Sequence, residues 1–407
     1  MIAKTGTSER RPAGPPPATR FDGAGVADGV ARKKKLLFVV NVDWFFMSHR
    51  LPIAMEAMRQ GYEVHLATGV TGRQKELASL GLTVHELPLA RSGASLTAEW
   101  RTFRRILSVM RAVRPDVVQL VTVKPVVLGG IAARLARAPA VVCAVSGLGF
   151  VFMAQGLKTR LLRLGVVALY RTALGHPNMR VIFQNDDDRR VLQKATGLRD
   201  GQTAMVRGSG VDLDHFTVRP FPGAPIVVVF AARLLRDKGV EEFVEAARIL
   251  RARGVKAIFR LAGAPDPGNR ASVSQKQVED WAASGAVEFL GHQTDMVRVL
   301  AEAHLVVLPS YREGLPKVLV EAAACGRPVV TTDVPGCREA IIPSATGLLV
   351  PPRDALALAN AMERLIADPV LRQQMGQAGR ELAERDYAIG TIVEQHLALY
   401  RQLLDQR

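Results

Sequence analysis

The sequence predicts an α/β protein with two domains, each containing a parallel β-sheet that helices cover on both faces. The chain has 407 residues, which is more than one hydrophobic core usually supports. From residue 36 onward, short apolar runs alternate with segments of helical periodicity, as they do in doubly wound sheets. This alternation restarts after residues 216–225, where three prolines and a glycine lie close together. We therefore predict one domain on either side of that segment.

The N-terminal domain is expected to span residues 36–215. Its strands are predicted from near-continuous apolar runs, which are typical of parallel strands buried on both faces. The predicted strands are residues 36–41, 63–67, 116–121, 140–145 and 180–184. The predicted helices between them are residues 50–60, 73–80, 96–113 and 126–136.

The C-terminal domain is expected to span residues 226–385, with residues 216–225 as the linker. Its predicted strands are residues 226–231, 256–262, 287–290, 305–308, 328–332 and 348–350, and its clearest helices are residues 239–253 and 317–324. Residues 386–407 contain a last helix, which we expect to pack back on the first domain. Because ligands bind at the carboxyl ends of strands in open α/β sheets, a cleft between the two domains is the expected site.

Composition narrows the range of partners. The formal net charge is +16, but only 5% of the residues are aromatic and no nucleic-acid-binding motif is present, so an anionic substrate or membrane surface explains the charge better than nucleic acid. Residues 1–35 carry +5 of this charge and are rich in proline and glycine, which predicts a disordered tail. No run of 18 apolar residues predicts a transmembrane helix. The three scattered cysteines are typical of a cytosolic protein: Cys143, Cys325 and Cys337.

A strand–loop–helix unit in the second domain carries two carboxylates. Glu313 lies in the loop after the strand at 305–308, and Glu321 lies eight residues later on the helix at 317–324. The backbone N–H groups at the start of that helix favour an anion. Carboxylates would repel a phosphate there, but they accept strong hydrogen bonds from sugar hydroxyls. The unit therefore indicates a ligand that carries both phosphate and sugar.

Two cationic residues follow the first strand of the same domain. Arg233 lies just beyond the strand at 226–231, and Lys238 lies at the start of the next helix. Together they can neutralise a diphosphate leaving group. A site of this kind does not need a metal ion for that purpose.

On these motifs the chain resembles glycosyltransferase family 4, whose members have the GT-B fold of two facing Rossmann-like domains. The family's E-x7-E motif matches Glu313 and Glu321, and its R-x4-K pair matches Arg233 and Lys238. The resemblance extends over residues 36–407. It implies a retaining glycosyltransferase that takes a nucleotide sugar, expected to be a UDP-sugar, and needs no metal or other cofactor.

The resemblance also implies a role for each motif residue. Glu313 is expected to bind hydroxyls of the donor sugar, and Glu321 the ribose of the nucleotide. Arg233 and Lys238 are expected to bind the diphosphate. Further donor contacts are expected at Gly314, Leu315, Ser209 and Gly210. Retention is expected through front-face attack, in which the leaving phosphate accepts the proton of the acceptor.

Three N-terminal segments are similar to a bacterial subgroup that adds N-acetylhexosamine or related sugars to undecaprenyl-diphosphate-linked saccharides. They are residues 43–52, 123–125 and 146–150. This similarity implies a lipid-linked saccharide as the acceptor and a function in polysaccharide or glycan assembly. The candidate acceptor residues are His49, Lys124 and Gly147, of which His49 is expected in the cleft, just after the loop that follows the first strand. The chain lacks the Gly-Gly loop that many family members carry there.

Two further patterns have both a structural and a functional interpretation. Asp186, Asp187 and Asp188 could hold a metal ion, but their position after a strand favours a helix cap and first turn. Residues 96–113 and 151–174 mix apolar and basic residues at helical spacing, and the apolar positions of the first are Trp100, Phe103, Leu107 and Met110. Each segment suits a core-facing helix. Together with the positive charge, they favour docking of a cytoplasmic, peripheral protein on the anionic inner face of a membrane.

Two other functions fit parts of the pattern. A nucleotide-sugar 2-epimerase of GT-B fold would also bind a diphosphate, but the paired motifs favour transfer. A non-catalytic sugar-binding protein of two lobes would not need two cations, and such proteins are commonly exported. The apolar run after Lys35 is too short for an export signal.

Overall fold

The structure is a computed structural model that describes residues 32–89, 95–147 and 157–406, and only the backbone of residues 157–163. Nearly all of the predicted tail therefore lies outside the described residues. The same holds for residues 148–150 of the third N-terminal segment and for residues 151–156 of the second amphipathic stretch.

The N-terminal domain contains a parallel sheet of seven strands in the order β3-β2-β1-β4-β5-β6-β7. The strands are β1 (Lys35–Val42), β2 (Glu63–Gly69), β3 (Thr83–Glu86), β4 (Val117–Val121), β5 (Ala140–Val145), β6 (Met179–Phe183) and β7 (Thr203–Met205). The helices are α1 (Asp43–His49), α2 (Leu51–Arg59), α3 (Gln74–Ser79), α4 (Leu96–Val113), α5 (Val123–Leu135), α6 (Leu157–Ala173) and α7 (Asp186–Thr196).

The C-terminal domain contains a parallel sheet of six strands in the order β10-β9-β8-β11-β12-β13. The strands are β8 (Ile226–Ala231), β9 (Ala257–Ala262), β10 (Glu288–Gly291), β11 (Leu305–Leu308), β12 (Val329–Thr332) and β13 (Gly347–Val350). The helices are α8 (Val240–Ala252), α9 (Gln275–Ala283), α10 (Met296–Ala301), α11 (Lys317–Ala324), α12 (Ala355–Ala367) and α13 (Pro369–Asp386).

The predicted fold class is confirmed, because both halves are doubly wound parallel sheets. The strand order reverses between β1 and β4 in the first sheet and between β8 and β11 in the second. At such a reversal the connections leave in opposite directions and open a crevice at the carboxyl ends of the strands. These two crevices are where the candidate site residues are found.

The last helix, α14 (Ile389–Asp405), returns to the N-terminal domain. Its apolar side chains belong to the same buried cluster as the central strand β1, and they are Ile392, Val393, Leu397, Tyr400 and Leu403. The Tyr400 hydroxyl donates a buried hydrogen bond of 2.7 Å to Gln119 on β4. The chain thus crosses between the domains twice.

The structure corrects two local predictions. Residues 43–49 form the helix α1 directly after β1, and not a loop. The helix predicted at residues 126–136 begins earlier, because α5 already starts at Val123 and includes Lys124. In both places the residue at the N-cap position makes no side-chain hydrogen bond to the helix, so the usual capping contact is missing.

Candidate active site

The two crevices lie against each other and enclose two adjoining cavities in the described part of the chain. The larger has a volume of about 670 Å³ and the smaller about 570 Å³. Trp44 from the N-terminal domain and Arg233 and Asp266 from the C-terminal domain line both. A ligand in one cavity would therefore lie next to a ligand in the other.

Glu313 and Lys238 meet at the carboxyl edge of the second sheet. Lys238 ends a single helical turn after β8, and Gly239 follows it with φ +74°. A Cβ at Gly239 would lie 2.1 Å from the carbonyl oxygen of Pro309, so only glycine permits this approach of the two loops. As a result, Lys238 Nζ donates to Glu313 Oε1 at 2.5 Å, and Ser310 Oγ donates to the same oxygen at 2.7 Å.

Arg233 does not share this contact. Its guanidinium donates to Asp266 Oδ2 at 2.9 Å, with 48% of its side chain exposed. The two predicted cations thus lie at different places in the crevice, each with its own carboxylate. Asp266 was not predicted, because it lies in the irregular segment between β9 and α9.

Glu321 lies on α11 and lines the larger cavity. Its side chain is 6% exposed and pairs with Lys317 at 2.9 Å, one helical turn earlier. Burial raises the pKa of Glu321, although Lys317 opposes the shift. A buried carboxylate with one cationic partner keeps oxygen lone pairs for a ligand.

The backbone positions predicted to bind the donor have distinct environments. Gly314 packs against the N-terminal domain, where a Cβ would lie 2.9 Å from the Ser146 carbonyl oxygen. The side chain of Leu315 lies against Gly208, while Gly210 packs on Ile389 of α14. These contacts leave Gly210 facing a helix.

Ser209 adjoins the buried guanidinium of Arg50. Ser209 Oγ accepts a hydrogen bond of 3.3 Å from Arg50 Nη1, and Arg50 also donates to the His49 carbonyl oxygen. Burial lowers the pKa of Arg50 to about 10. Neither Ser209 nor Arg50 lines the two cavities.

The three candidate acceptor residues lie in the N-terminal domain, on its side of the cleft. His49 stacks on Phe45, with ring centroids 4.0 Å apart, and burial together with Arg50 and Lys317 lowers its pKa to about 3. Lys124 lines the smaller cavity and pairs with Glu99 at 2.7 Å. Gly147, with φ +111°, lies close to the backbone nitrogen of Gly314. Of these three, only Lys124 lines a described cavity.

Two residues that were not predicted line the smaller cavity with polar atoms. Asn41 Oδ1 and Thr122 Oγ1 are buried and have no hydrogen-bond partner within the described ranges. Thr122 occupies the N-cap position of α5 with φ +74°. Its hydroxyl would ordinarily accept from the third helical residue, but that residue is Pro125, which has no N–H.

The acidic run forms the first turn of α7, as predicted, but the residue that caps the helix is the preceding Asn185. Asn185 Oδ1 accepts a hydrogen bond of 2.8 Å from the Asp188 N–H. Among the described residues, no group of three or more His, Cys, Asp or Glu side chains could hold a metal ion. Asp187 and Asp188 also contact arginines of the other domain.

Comparisons with known proteins show which families the two domains match. The family described as "Glycosyl transferase 4-like" matches residues 35–185, and "Glycosyl transferases group 1" matches residues 213–382. An N,N'-diacetylbacillosaminyl-diphospho-undecaprenol alpha-1,3-N-acetylgalactosaminyltransferase of Campylobacter jejuni is 29% identical over 88% of this chain and 98% of its own length. A putative glycosyltransferase, EpsD, of Bacillus subtilis is 27% identical over 91% of this chain and 97% of its own length.

Solved structures show the same fold. A sucrose-phosphate synthase from Thermosynechococcus elongatus superposes with a TM-score of 0.75 at 22% identity, over 92% of this chain and all of the other. The Anabaena protein HepE in complex with UDP and glucose superposes with a TM-score of 0.73 at 20% identity, over 90% of this chain and 98% of the other.

Proposed function

We propose that this chain, which belongs to the glycosyltransferases with a 4-like domain followed by a group 1 domain, transfers a hexose from a UDP-sugar to a lipid-linked saccharide. The sugar would be an N-acetylhexosamine or a related hexose, and the product would serve the assembly of a polysaccharide or glycan. The likeness to the Campylobacter enzyme over nearly all of both chains supports this acceptor class. The contact of Lys238 with Glu313 at the carboxyl edge of the second sheet is the observation that carries the proposal.

On the donor side, the larger cavity would hold the nucleotide. Glu321 is buried and has Lys317 as its ion-pair partner, and its carboxylate would accept hydrogen bonds from the ribose hydroxyls. Arg233, half exposed at the junction of the cavities, would bind the diphosphate. Lys238 and Glu313 would lie beside the sugar, with Lys238 toward the phosphate and Glu313 toward the sugar hydroxyls.

The proposed reaction retains the anomeric configuration. The acceptor hydroxyl oxygen would bond to the anomeric carbon on the face that the diphosphate leaves, as the bond between that carbon and the phosphate oxygen breaks. The departing phosphate oxygen would take the proton of the hydroxyl, so no protein nucleophile is required. Arg233 and Lys238 would stabilise the negative charge that develops on the leaving group.

We also propose that transfer needs no metal ion, since two cations lie where the diphosphate would leave. Activity should persist in excess EDTA. Loss of activity in EDTA that Mg²⁺ or Mn²⁺ restores would contradict this part of the proposal.

On the acceptor side, the smaller cavity would hold the accepting sugar. Trp44 and Phe45 offer apolar ring surface, and Asn41 and Thr122 offer buried oxygens to its hydroxyls. Lys124 lies at the same edge and would face the anionic lipid diphosphate.

We also propose docking on an anionic membrane. Fewer residues of α4 are available for it than the sequence indicated. Met110 is 1% exposed in the core and cannot contact lipid, whereas Leu96 is 87% and Trp100 is 59% exposed. Arg101 and Arg104 are also exposed on α4. Within the described ranges no helix is long and apolar enough to cross a bilayer. Trp100→Ser should reduce co-sedimentation with anionic liposomes, while equal and negligible pelleting with and without anionic lipid would contradict docking.

A donor screen tests the proposed function. The purified chain is incubated with individual UDP-sugars and an undecaprenyl-diphosphate-linked monosaccharide, and products are identified by mass. One UDP-sugar should extend the acceptor by one hexose and release UDP. Conversion of a UDP-sugar without any acceptor would instead indicate an epimerase, and no reaction with any donor would contradict the proposal.

A further inference from the structure

Three consecutive aspartates begin α7, yet their carboxylates have different partners. The cationic partners are Arg189 for Asp186, both Arg190 and Arg338 for Asp187, and Arg312 for Asp188. Arg189 and Arg190 lie on α7 itself, whereas Arg338 and Arg312 belong to the C-terminal domain. Within the described residues, Asp188 is therefore the one carboxylate of the three that pairs with a cation of the second domain alone.

Asp188 has the most buried side chain of the three. Its side chain is 1% exposed, and its one cationic partner among the described residues is Arg312, which precedes Glu313 in the chain. A carboxylate buried this fully is unfavourable unless it is paired and hydrogen-bonded. Separation of the two domains would remove that partner, so the pair favours the arrangement in which the domains are in contact.

Asn185 contacts the same loop through its amide group. Its Oδ1 is occupied as the cap of α7, accepting from the Asp188 N–H at 2.8 Å. The cap thereby fixes the orientation of the amide. Its Nδ2 donates to the Gly314 carbonyl oxygen of the other domain at 2.9 Å, and over longer distances to Asp188 Oδ2 at 3.3 Å and to the Glu313 carbonyl oxygen at 3.5 Å.

The loop at 312–314 is held closely between two surfaces. A Cβ at Gly314 would lie 2.3 Å from Gln184 Oε1, on the N-terminal side. A Cβ at Gly336 would lie 2.4 Å from the Glu313 carbonyl oxygen, on the C-terminal side. The Glu313 N–H donates to the Pro335 carbonyl oxygen at 3.0 Å. The N-terminal domain thus contacts the backbone of this loop, while Lys238 and Ser310 contact the Glu313 carboxylate.

We propose that Asn185 and Asp188 are positioning residues for the donor-binding loop, because they join Arg312 and the Gly314 carbonyl to the N-terminal domain and so set the place of Glu313. The inference rests on the proposed function only for the role of Glu313. Contact between the domains and correct placement of the Glu313 carboxylate are then the same event. Donor sugar would be held for transfer only when the acceptor-side domain is in place.

The matched pair Asp188→Asn and Asp186→Asn tests this, since both remove one carboxylate from the same helical turn. Transfer kinetics and UDP binding are measured for each variant and for the wild type. Asp188→Asn should lower kcat about tenfold or more with the dissociation constant of UDP changed less than threefold, because UDP would bind mainly to the C-terminal domain. Asp186→Asn should stay within twofold in both. Equal kcat in the two variants would overturn the inference.

A second pair separates positioning from loss of folding. Asn185→Ser keeps a capping oxygen but loses the amide that reaches Gly314, so it should lower kcat without shifting the melting temperature by more than a few degrees. The double variant Asp188→Asn with Arg312→Gln should lose no more activity than Asp188→Asn alone. A lower melting temperature with unchanged kcat, or fully additive losses, would contradict positioning.

Hydrogen exchange provides a readout that needs no substrate. The peptide covering residues 309–316 should exchange faster in Asp188→Asn than in Asp186→Asn or the wild type. Equal exchange in all three would overturn the inference. Absence of transfer by the wild type would contradict the proposed function alone, and the exchange experiment would still decide the positioning role.

Discussion

The two edges of the cleft satisfy their polar groups in different ways. On the C-terminal side, the groups are charges that already have partners: Glu313 with Lys238, Arg233 with Asp266 and Glu321 with Lys317. On the N-terminal side, the groups include buried neutral oxygens without partners in the described part of the chain: Asn41, Thr122 and Ser146. Paired charges are stable before a ligand arrives. An unsatisfied buried oxygen costs about 1–3 kcal/mol until a donor reaches it.

This difference suggests what each edge recognises. Preorganised charges suit a ligand of constant charge, such as a nucleoside diphosphate, because the electrostatic complement is already in place. Neutral oxygens that await a donor suit a ligand with hydroxyl groups, because its binding would complete their hydrogen bonds. The C-terminal edge would therefore bind the donor, and the N-terminal edge the acceptor.

The largest effect is expected from Glu313, which would place the donor sugar. Glu313→Ala should lower kcat about 10²–10³-fold, the usual loss when one preorganised transition-state contact is removed. Glu302→Ala is the matched control, because Glu302 is exposed and pairs with surface arginines. Steady-state kinetics at saturating donor measure the effect. A loss no greater than that of the control would break the assignment of Glu313.

A smaller effect is expected from Glu321, which would bind the ribose. Glu321→Gln should raise the KM for the donor about tenfold and leave the KM for the acceptor unchanged, since a hydrogen bond to a charged group contributes about 1.5–3 kcal/mol. An increase confined to the acceptor KM would exchange the roles of the two edges.

The pH dependence of donor binding is a second test of the role of Glu321 in ribose binding. Burial raises the pKa of Glu321, so this carboxylate takes up a proton at a higher pH than an exposed glutamate does. Ribose binding needs the charged form, and kcat/KM for the donor should therefore fall as the pH is lowered through that raised pKa. Glu321→Gln should remove this decline. An identical decline in the variant would assign it to another group.

The smallest effect is expected at the acceptor edge. Asn41→Ala should raise the KM for the acceptor about three- to tenfold, because one neutral hydrogen bond contributes about 0.5–1.5 kcal/mol. The same substitution removes an unsatisfied buried oxygen, so the free variant should be at least as stable as the wild type. A change in donor KM alone would contradict the assignment of this edge.

How far the sequence could predict the site differs between the two edges. Glu313 and Lys238 lie in segments that follow strands, and Glu321 lies on the helix after Glu313, so their meeting place could be predicted from the fold. Lys317, the partner of Glu321, lies one helical turn before it on the same helix, so that pair is local. Asp266, the partner of Arg233, is set by a tertiary contact that no local pattern records. The Asp188–Arg312 pair joins residues 124 positions apart and could not be anticipated from either segment.

In the N-terminal domain, the local sequence signals for helix starts and strands were weaker. The cap of α1 is Val42, which has no capping oxygen, so a helix at residues 43–49 was not predicted. Thr122 has a side chain that usually caps, but Pro125 removes its partner. The strands β3 and β7 were missed because they are short and lie at the sheet edges, where few residues are fully buried.

The central claim is that the C-terminal edge of the cleft binds the donor and the N-terminal edge binds the acceptor. Its most direct test is a crystal structure of the chain with UDP. We expect the ribose hydroxyls within hydrogen-bonding distance of the Glu321 carboxylate and the diphosphate beside Arg233 and Lys238, with the smaller cavity open beside Asn41 and Thr122. A nucleotide bound instead against Asn41 and Thr122, with no contact to Glu321, would contradict the account.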